Sequence, residues 1–312
     1  MKTVTLIIPA YNEADSLTHN LEAILARIGA MDGITLRLLV VNDGSSDRTV
    51  EVMQIFCASH PQVSLLSLNR HYGKEAAILA GLDHAPGDAA VVMDSDLQHP
   101  PELIPKMVAL WAGGVDVVEA YKTARPSQSA GYRFFARGFY ATFGLFTGMD
   151  LRNQSDFKLL DRKVVDAYRR MPERTRFFRG LIKWLNFTTA QLPFEEPQRQ
   201  GGKSKWSGPR LLRLSWHSIS SFTSLPLQLV TLLGLFTFLI SLTLGGKALY
   251  DKLSGHALDG FTTVILLLLI IGSVLMFSLG LMGSYIARIY DEIKARPIYL
   301  VDEKNSRLKE PT

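Results

Sequence analysis

Over the first 120 residues, short apolar runs alternate with longer amphipathic stretches. Residues 4–8, 36–41, 63–68, 89–93 and 115–118 are runs of strand length, rich in β-branched side chains. Residues 16–28 instead put Leu17, Leu21, Ile24, Leu25 and Ile28 on one face of a helix. Alternation of this kind predicts an α/β fold with a mostly parallel sheet covered on both faces, and such sheets bind ligands beyond the carboxyl ends of their strands. Near the C-terminus the rhythm is lost. Residues 225–246 and 261–287 contain no charged side chain. At about 1.5 Å per residue a helix over the first of them is roughly 33 Å long, enough for a hydrocarbon core of about 30 Å. Lys203, Lys205, Arg210 and Arg213 precede the first span and Arg288, Lys294 and Arg296 follow the second, against Lys247 and Lys252 between them. That bias predicts a hairpin with both termini cytoplasmic.

Two segments between these regions have a third character. Residues 132–148 interleave Arg133 and Arg137 with many aromatics, and residues 209–222 combine Arg210 and Arg213 with Leu211, Leu212, Leu214 and Trp216. Both read as amphipathic helices lying in a membrane interface. The organisation expected is a domain over 1–207 with an amphipathic segment at about 131–148, an interfacial helix over 208–224, a two-helix hairpin over 225–289 and a tail over 290–312. No internal repeat or low-complexity segment interrupts it.

Composition sharpens the picture. Of 312 residues 47% are hydrophobic and 20% charged, which excludes disorder and collagen-like structure. The single cysteine, Cys57, excludes an internal disulfide. The net charge of +5 hides a split: residues 1–120 carry 7 basic and 15 acidic side chains, and residues 121–217 carry 19 and 7. An acidic third before a basic middle suggests a metal or polyol site facing a phosphate or membrane surface. The apolar run before Pro9 is too short for a signal peptide.

The acidic third concentrates polar groups where strands end. The first strand leads to Pro9, Tyr11, Asn12 and Glu13, the second to Asn42, Asp43, Gly44, Ser45, Ser46 and Asp47, and the fourth to Asp94, Ser95, Asp96 and Gln98. Asp94 and Asp96, one residue apart just past an apolar strand, can aim two carboxylates at one hard divalent cation, with Gln98 as a further oxygen ligand. Mg2+ or Mn2+ suits oxygen ligands and leaves positions for phosphate oxygens.

The order PAYNE, VNDGSSDRT, GKEAAILAGLDHA, MDSDLQHPPE, SDFKLLDR and RQGGKSKWS, followed by two hydrophobic spans ending in YIARIYDEIKARPIY, resembles family 2 glycosyltransferases. More narrowly it is similar to the polyisoprenyl-phosphate glycosyltransferases, the bactoprenol glucosyltransferases and dolichol-phosphate mannose synthases. The resemblance implies a GT-A fold, Rossmann-like and mostly parallel, followed by interface helices and two transmembrane helices. It implies that Pro9, Tyr11, Glu13, Asp43 and Asp94 bind the nucleotide sugar, that Asp94, Asp96 and Gln98 hold the metal and diphosphate, and that Asp156 and Asp96 are catalytic. Arg125, Arg133 and Arg137 are the candidates for the phosphate of a polyprenyl phosphate acceptor, with Arg199, Ser204 and Lys205 on a loop closing over the phosphates. A phosphate monoester is largely dianionic at pH 7, so Asp156 has little proton to remove and can instead orient an arginine or sugar hydroxyls. Ser284 stands where this subfamily usually has a glutamate.

UDP-glucose is the donor the resemblance favours, with GDP-mannose or a UDP-linked amino sugar, GlcNAc or galactose as alternatives. An inner-membrane enzyme of envelope glycan modification is implied, and glycines in the two spans, among them Gly234, Gly272 and Gly280, permit the close helix contacts compatible with a homo-oligomer. Rival readings are weaker. Position 197 is Pro where a P-loop needs glycine, no dinucleotide fingerprint follows a strand, and no Q-x-x-R-W motif marks a processive polysaccharide synthase. Nucleic-acid binding by the basic middle would ignore the two spans, and a sugar-nucleotide sensor would leave the metal motif idle.

Overall fold

The computed structural model describes residues 1–29, 31–123, 154–174, 176–195, 225–254 and 261–309. Among the described residues seven strands form one sheet in the order β3-β2-β1-β4-β6-β5-β7. They are β1 (Lys2–Ala10), β2 (Ile34–Asn42), β3 (Val63–Ser67), β4 (Ala89–Val92), β5 (Val117–Lys122), β6 (Gln154–Asp161) and β7 (Thr189–Phe194). β3, β2, β1 and β4 run parallel, as do β5 and β7, whereas β6 runs antiparallel between β4 and β5. The five strands expected from the apolar runs all form. β6 and β7 are additions that the hydrophobic pattern did not announce.

Burial on both faces explains the continuous apolar runs. Val4, Leu6 and Ile8 of β1 enter the main core with Leu17, Leu21 and Ile24 of α1 (Leu17–Ile28) and with Met107 and Trp111 of α4 (Ile104–Ala112). The neighbouring Ile7 meets α3 (Lys74–His84), which approaches so closely that a Cβ on Gly81 would lie 2.3 Å from Ile7 Cγ2. α2 (Thr49–Ser59) follows the β2 tip, and Cys57 is free and buried within it. Past β6, α5 (Arg162–Arg169) starts on Asp161, whose side chain accepts from the Lys163 N–H at 2.9 Å. α6 (Phe178–Trp184) precedes β7.

The chain divides into two compact units, one of residues Met1–Lys205 with Arg296–Thr312 and one of Trp206–Ala295. In the first unit the C-terminal segment straps the free side of β3 through bridges Leu65 to Arg307 and Leu68 to Val301. Tyr299 adds a hydroxyl hydrogen bond to Asp83 at 2.8 Å. In the second unit α7 (Leu225–Leu253) and α8 (Phe261–Ile293) pack on one another. Both are long and apolar enough to cross a membrane. Side chains such as Leu232, Phe236, Leu268 and Met276 stay exposed along them. The Ser284 hydroxyl turns back to donate to the Leu281 carbonyl at 2.7 Å, within its own helix.

Candidate active site

The carboxyl ends of β1, β2 and β4 meet at one edge of the sheet, and cross-links between their loops fix the meeting. Asn12 has φ of 54°, a left-handed conformation that suits Asn better than most residues. Its N–H donates to Ser45 Oγ at 2.9 Å, and its side chain accepts from the Ser46 N–H at 2.8 Å. Glu13 joins the first tip to the fourth by accepting from the Ser95 hydroxyl at 2.5 Å. Burial pushes the Glu13 carboxyl up; the Ser95 hydrogen bond opposes this, while the charges of Asp96, Asp94 and Asp47 add to it.

The second tip is set by Gly44, with φ of 62°, where a Cβ would lie 2.0 Å from the Arg70 carbonyl carbon. Only glycine lets the loop after β3 come this close. That loop holds Asp43: its carboxylate accepts from the N–H groups of Tyr72 at 2.7 Å and Gly73 at 2.9 Å and pairs with His71 at 2.8 Å. His71 stacks on Tyr11 with ring centroids 4.0 Å apart, and Tyr11 remains exposed. Pro9 is paired with Val41 near the carboxyl ends of β1 and β2. Asp43 therefore works first through the loop, and Tyr11 with His71 offers the aromatic surface.

At the fourth tip, Leu97 has φ of 58° and Asp96 is exposed, accepting from the Gln98 N–H at 3.1 Å. His99 is buried behind the turn. It stacks on Phe157 at 5.1 Å and accepts the Asp94 N–H on Nδ1 at 3.2 Å. Burial pushes its imidazole down, which keeps Nδ1 available as that acceptor.

Charge is concentrated in a chain of ion pairs. Lys74 Nζ bridges Asp94 Oδ1 at 2.5 Å and Asp156 Oδ2 at 2.7 Å. Arg179 then grips Asp156 through Nε at 2.6 Å and a second nitrogen at 2.9 Å. Burial alone would raise the Asp156 carboxyl, but the Arg179 and Lys74 charges outweigh it and hold it well below the usual carboxylate range. Burial likewise opposes the Lys74 ammonium, and Asp156 and Asp94 hold it above its ordinary value. Two residues along β6, Lys158 is buried against Glu119 at 2.5 Å.

The structure thus brings Glu13, Asp94 and Asp156 into one centre, with Asp96 and Gln98 beside it and Pro9, Tyr11 and Asp43 along the same edge. Arg125, Arg133, Arg137, Arg199, Ser204 and Lys205 lie outside the described residues, as do both amphipathic segments. Lys74, His71, His99 and Arg179 are members that reading the strand tips missed. For His71 and Lys74 the signal was the third tip, whose run NRHYGKE carries cations where the other tips carry carboxylates, although what Lys74 holds, like Arg179, shows only in the assembled sheet.

Among the described residues no three His, Cys, Asp or Glu side chains stand close enough to cage a metal. The donor set nevertheless fits a hard divalent cation that shares its shell with a ligand's oxygens. Asp94 already holds a cation, the Lys74 ammonium, on Oδ1 at 2.5 Å, and the exposed Asp96 and the Gln98 amide follow it on the same turn as further oxygen donors.

The model described as Glycosyl transferase family 2 matches residues 5–167. An uncharacterized glycosyltransferase of Synechocystis is 37% identical over 96% of this chain and 95% of its own. A prophage-derived bactoprenol glucosyl transferase of Shigella flexneri is 33% identical over 97% of this chain and 98% of its own. Among solved structures, glucosyl-3-phosphoglycerate synthase of Mycobacterium tuberculosis in complex with Mn2+ and UDP-glucose aligns with a TM-score of 0.50 at 18% identity, covering 72% of this chain and 80% of its own. That likeness establishes the GT-A fold.

Proposed function

Because the chain belongs to glycosyl transferase family 2 and is a glycosyltransferase, we propose that it transfers one glucose from UDP-glucose to a polyprenyl phosphate at the cytoplasmic face of a membrane. The observation that carries this reading is similarity, over nearly the whole chain, to proteins named bactoprenol glucosyl transferase. The two long apolar helices support a membrane-bound acceptor, and the basic flanks support cytoplasmic termini. The Mn2+ and UDP-glucose bound by the mycobacterial synthase support the metal and the donor.

In the reaction, an oxygen of the acceptor phosphate bonds to the sugar's anomeric carbon as the bond from that carbon to the donor diphosphate breaks. UDP leaves and the configuration inverts. Tyr11 and His71 present a stacking surface for the base, with Pro9 and Asp43 shaping the loop beneath it. Asp94 and Asp96, with Gln98, would hold Mg2+ or Mn2+, which supplies charge neutralisation to a leaving diphosphate. Glu13 braces the metal loop through Ser95.

Asp156 is a positioning residue. Its paired carboxylate is a poor proton acceptor, and it aligns Lys74 and Arg179 with the two phosphates. Arg125, Arg133 and Arg137 receive the acceptor phosphate, and Arg199, Ser204 and Lys205 close over the donor. Catalysis comes from alignment and electrostatics.

A panel of nucleotide sugars with purified protein and undecaprenyl phosphate, scored by nucleoside diphosphate release, tests the reading. UDP-glucose should give the highest turnover. Preference for another donor would replace the sugar assignment, and no release with any donor would remove the polyprenyl phosphate acceptor.

A further inference from the structure

A second concentration of charge lies in the first unit, at the first turn of α3. A cavity of about 390 Å³ is lined by Arg70, Arg174, Arg176 and Arg296 together with Glu75 and Ala76. Its size is at the lower end of the range of small-molecule sites, about 300–1,000 Å³.

Three features show a built site. Arg176 is 9% exposed, and its guanidinium is fixed by the carbonyls of Tyr168 at 2.7 Å, Met171 at 2.6 Å and Glu173 at 3.2 Å. Arg70 is braced over the Tyr72 ring at 4.5 Å. Arg296 is delivered by the C-terminal strap, which the Leu68 to Val301 bridge and the hydrogen bond from Asn69 N–H to Leu300 O at 3.0 Å tie to the end of β3. Among the described residues, Arg70, Arg176 and Arg296 enter no ion pair.

The one acid in the lining does not balance this charge. Glu75 accepts from the Phe178 N–H at 2.8 Å, and burial, with the Asp156 charge added, pushes its carboxyl up to about 7. Residues 75 and 76 also bring the N-terminal turn of an 11-residue helix to the cavity, a further source of positive potential.

We propose that this cavity binds a phosphate group, gripped by Arg70, Arg176 and Arg296 and admitted next to Glu75. Several guanidinium groups around one pocket match the tetrahedral oxygens of a phosphate ester better than a lone carboxylate. The phosphate comes either from an anionic lipid headgroup or from a soluble phosphate. In both cases its occupancy is read one residue away from Lys74, so the site can report to the acidic centre without sharing its ligands.

The test is calorimetric titration of the full chain in detergent with inorganic phosphate, at pH 8 and constant ionic strength, with no sugar nucleotide present. Saturable binding is expected. Arg70→Gln and Arg296→Gln should each weaken it about tenfold, the loss of one charge-assisted contact. Glu75→Gln should tighten it severalfold by removing the one acid of the lining. This opposite sign separates a binding site from general loss of structure.

Absence of saturable binding, or an affinity that Arg296→Gln and Glu75→Gln leave unchanged or both weaken, overturns the proposal. Displacement of bound phosphate by monomeric dihexanoyl phosphatidylglycerol supports the lipid source, and saturable phosphate binding without displacement supports the soluble one. Because no donor or acceptor substrate is used, failure here leaves the transferase reading standing, and failure of that reading leaves this one.

Discussion

Replacing Asp156 by Asn removes one charge and leaves two cations facing an amide. Asp156 accepts from Lys74 at 2.7 Å and from Arg179 at 2.6 and 2.9 Å, and its side chain is 8% exposed. Breaking a fully buried pair costs about 3–5 kcal/mol. Here the Lys74 and Arg179 side chains are 42% and 35% exposed, Lys74 keeps Asp94, and Asn can still accept a hydrogen bond, so a loss of about 2 kcal/mol is expected. For a unit of this size that lowers the melting temperature by roughly 4–8 °C.

The pH dependence follows from the depressed carboxyl. Its stabilisation is complete above the unfolded value of about 3.9 and is lost only as pH falls through the lower folded value. The difference in stability between the two proteins should therefore be the same at pH 6 and pH 8. Turnover, measured as labelled glucose entering undecaprenyl phosphate, should fall on the order of 100-fold from misplaced phosphates, with the shape of its pH profile unchanged. An acid limb between pH 5 and 7 that Asp156→Asn abolishes, with no change in melting temperature, would refute the positioning role and restore a general base.

Three more predictions probe the surrounding centre. Lys74→Gln removes an ammonium 2.5 Å from Asp94 Oδ1; electron paramagnetic resonance titration without nucleotide should show Mn2+ binding about tenfold tighter, and unchanged affinity would mean that Lys74 and the metal do not compete. His99→Phe keeps a ring against Phe157 but strands the Asp94 N–H, at a cost of about 1–3 kcal/mol; the KM for donor should rise with Mn2+ affinity falling alongside it, and normal values of both would remove His99 from the metal loop. Gly44→Ala puts a Cβ against the Arg70 backbone at a φ of 62°; a stability loss of about 1–3 kcal/mol and weaker donor binding are expected in chemical denaturation and calorimetry, and a silent substitution would show that the two loops can part.

What could be read in advance depended on how far apart the interacting residues stand. The strands β1 to β5 were legible because strands covered on both faces need continuous apolar runs. Asp94 and Asp96 were legible because local spacing alone points them at one cation. β6 was hidden by its own function: Asp156 and Lys158 are buried on it as ion pairs, and charges inside a strand break the apolar pattern that identifies one. Lys74 and Arg179 were missed for a related reason. Each belongs to a helix distant in sequence from Asp156, so only the assembled sheet reveals what they hold. The strap from Arg296 onward reads as a polar tail until its backbone bonds to β3 are known. Glu75 looks like an ordinary first-turn acid on α3, and nothing local marks the arginines that surround it.

The central claim is metal-dependent transfer of one sugar to a polyprenyl phosphate. Its most direct test is mass spectrometry of the organic-extractable product from purified full chain, UDP-glucose, Mn2+ and undecaprenyl phosphate, with and without EDTA. A lipid carrying one hexose is expected, formed with Mn2+ and absent with EDTA or in the Asp94→Ala variant. A lipid carrying a chain of sugars, or the same product at full yield in EDTA, would contradict it.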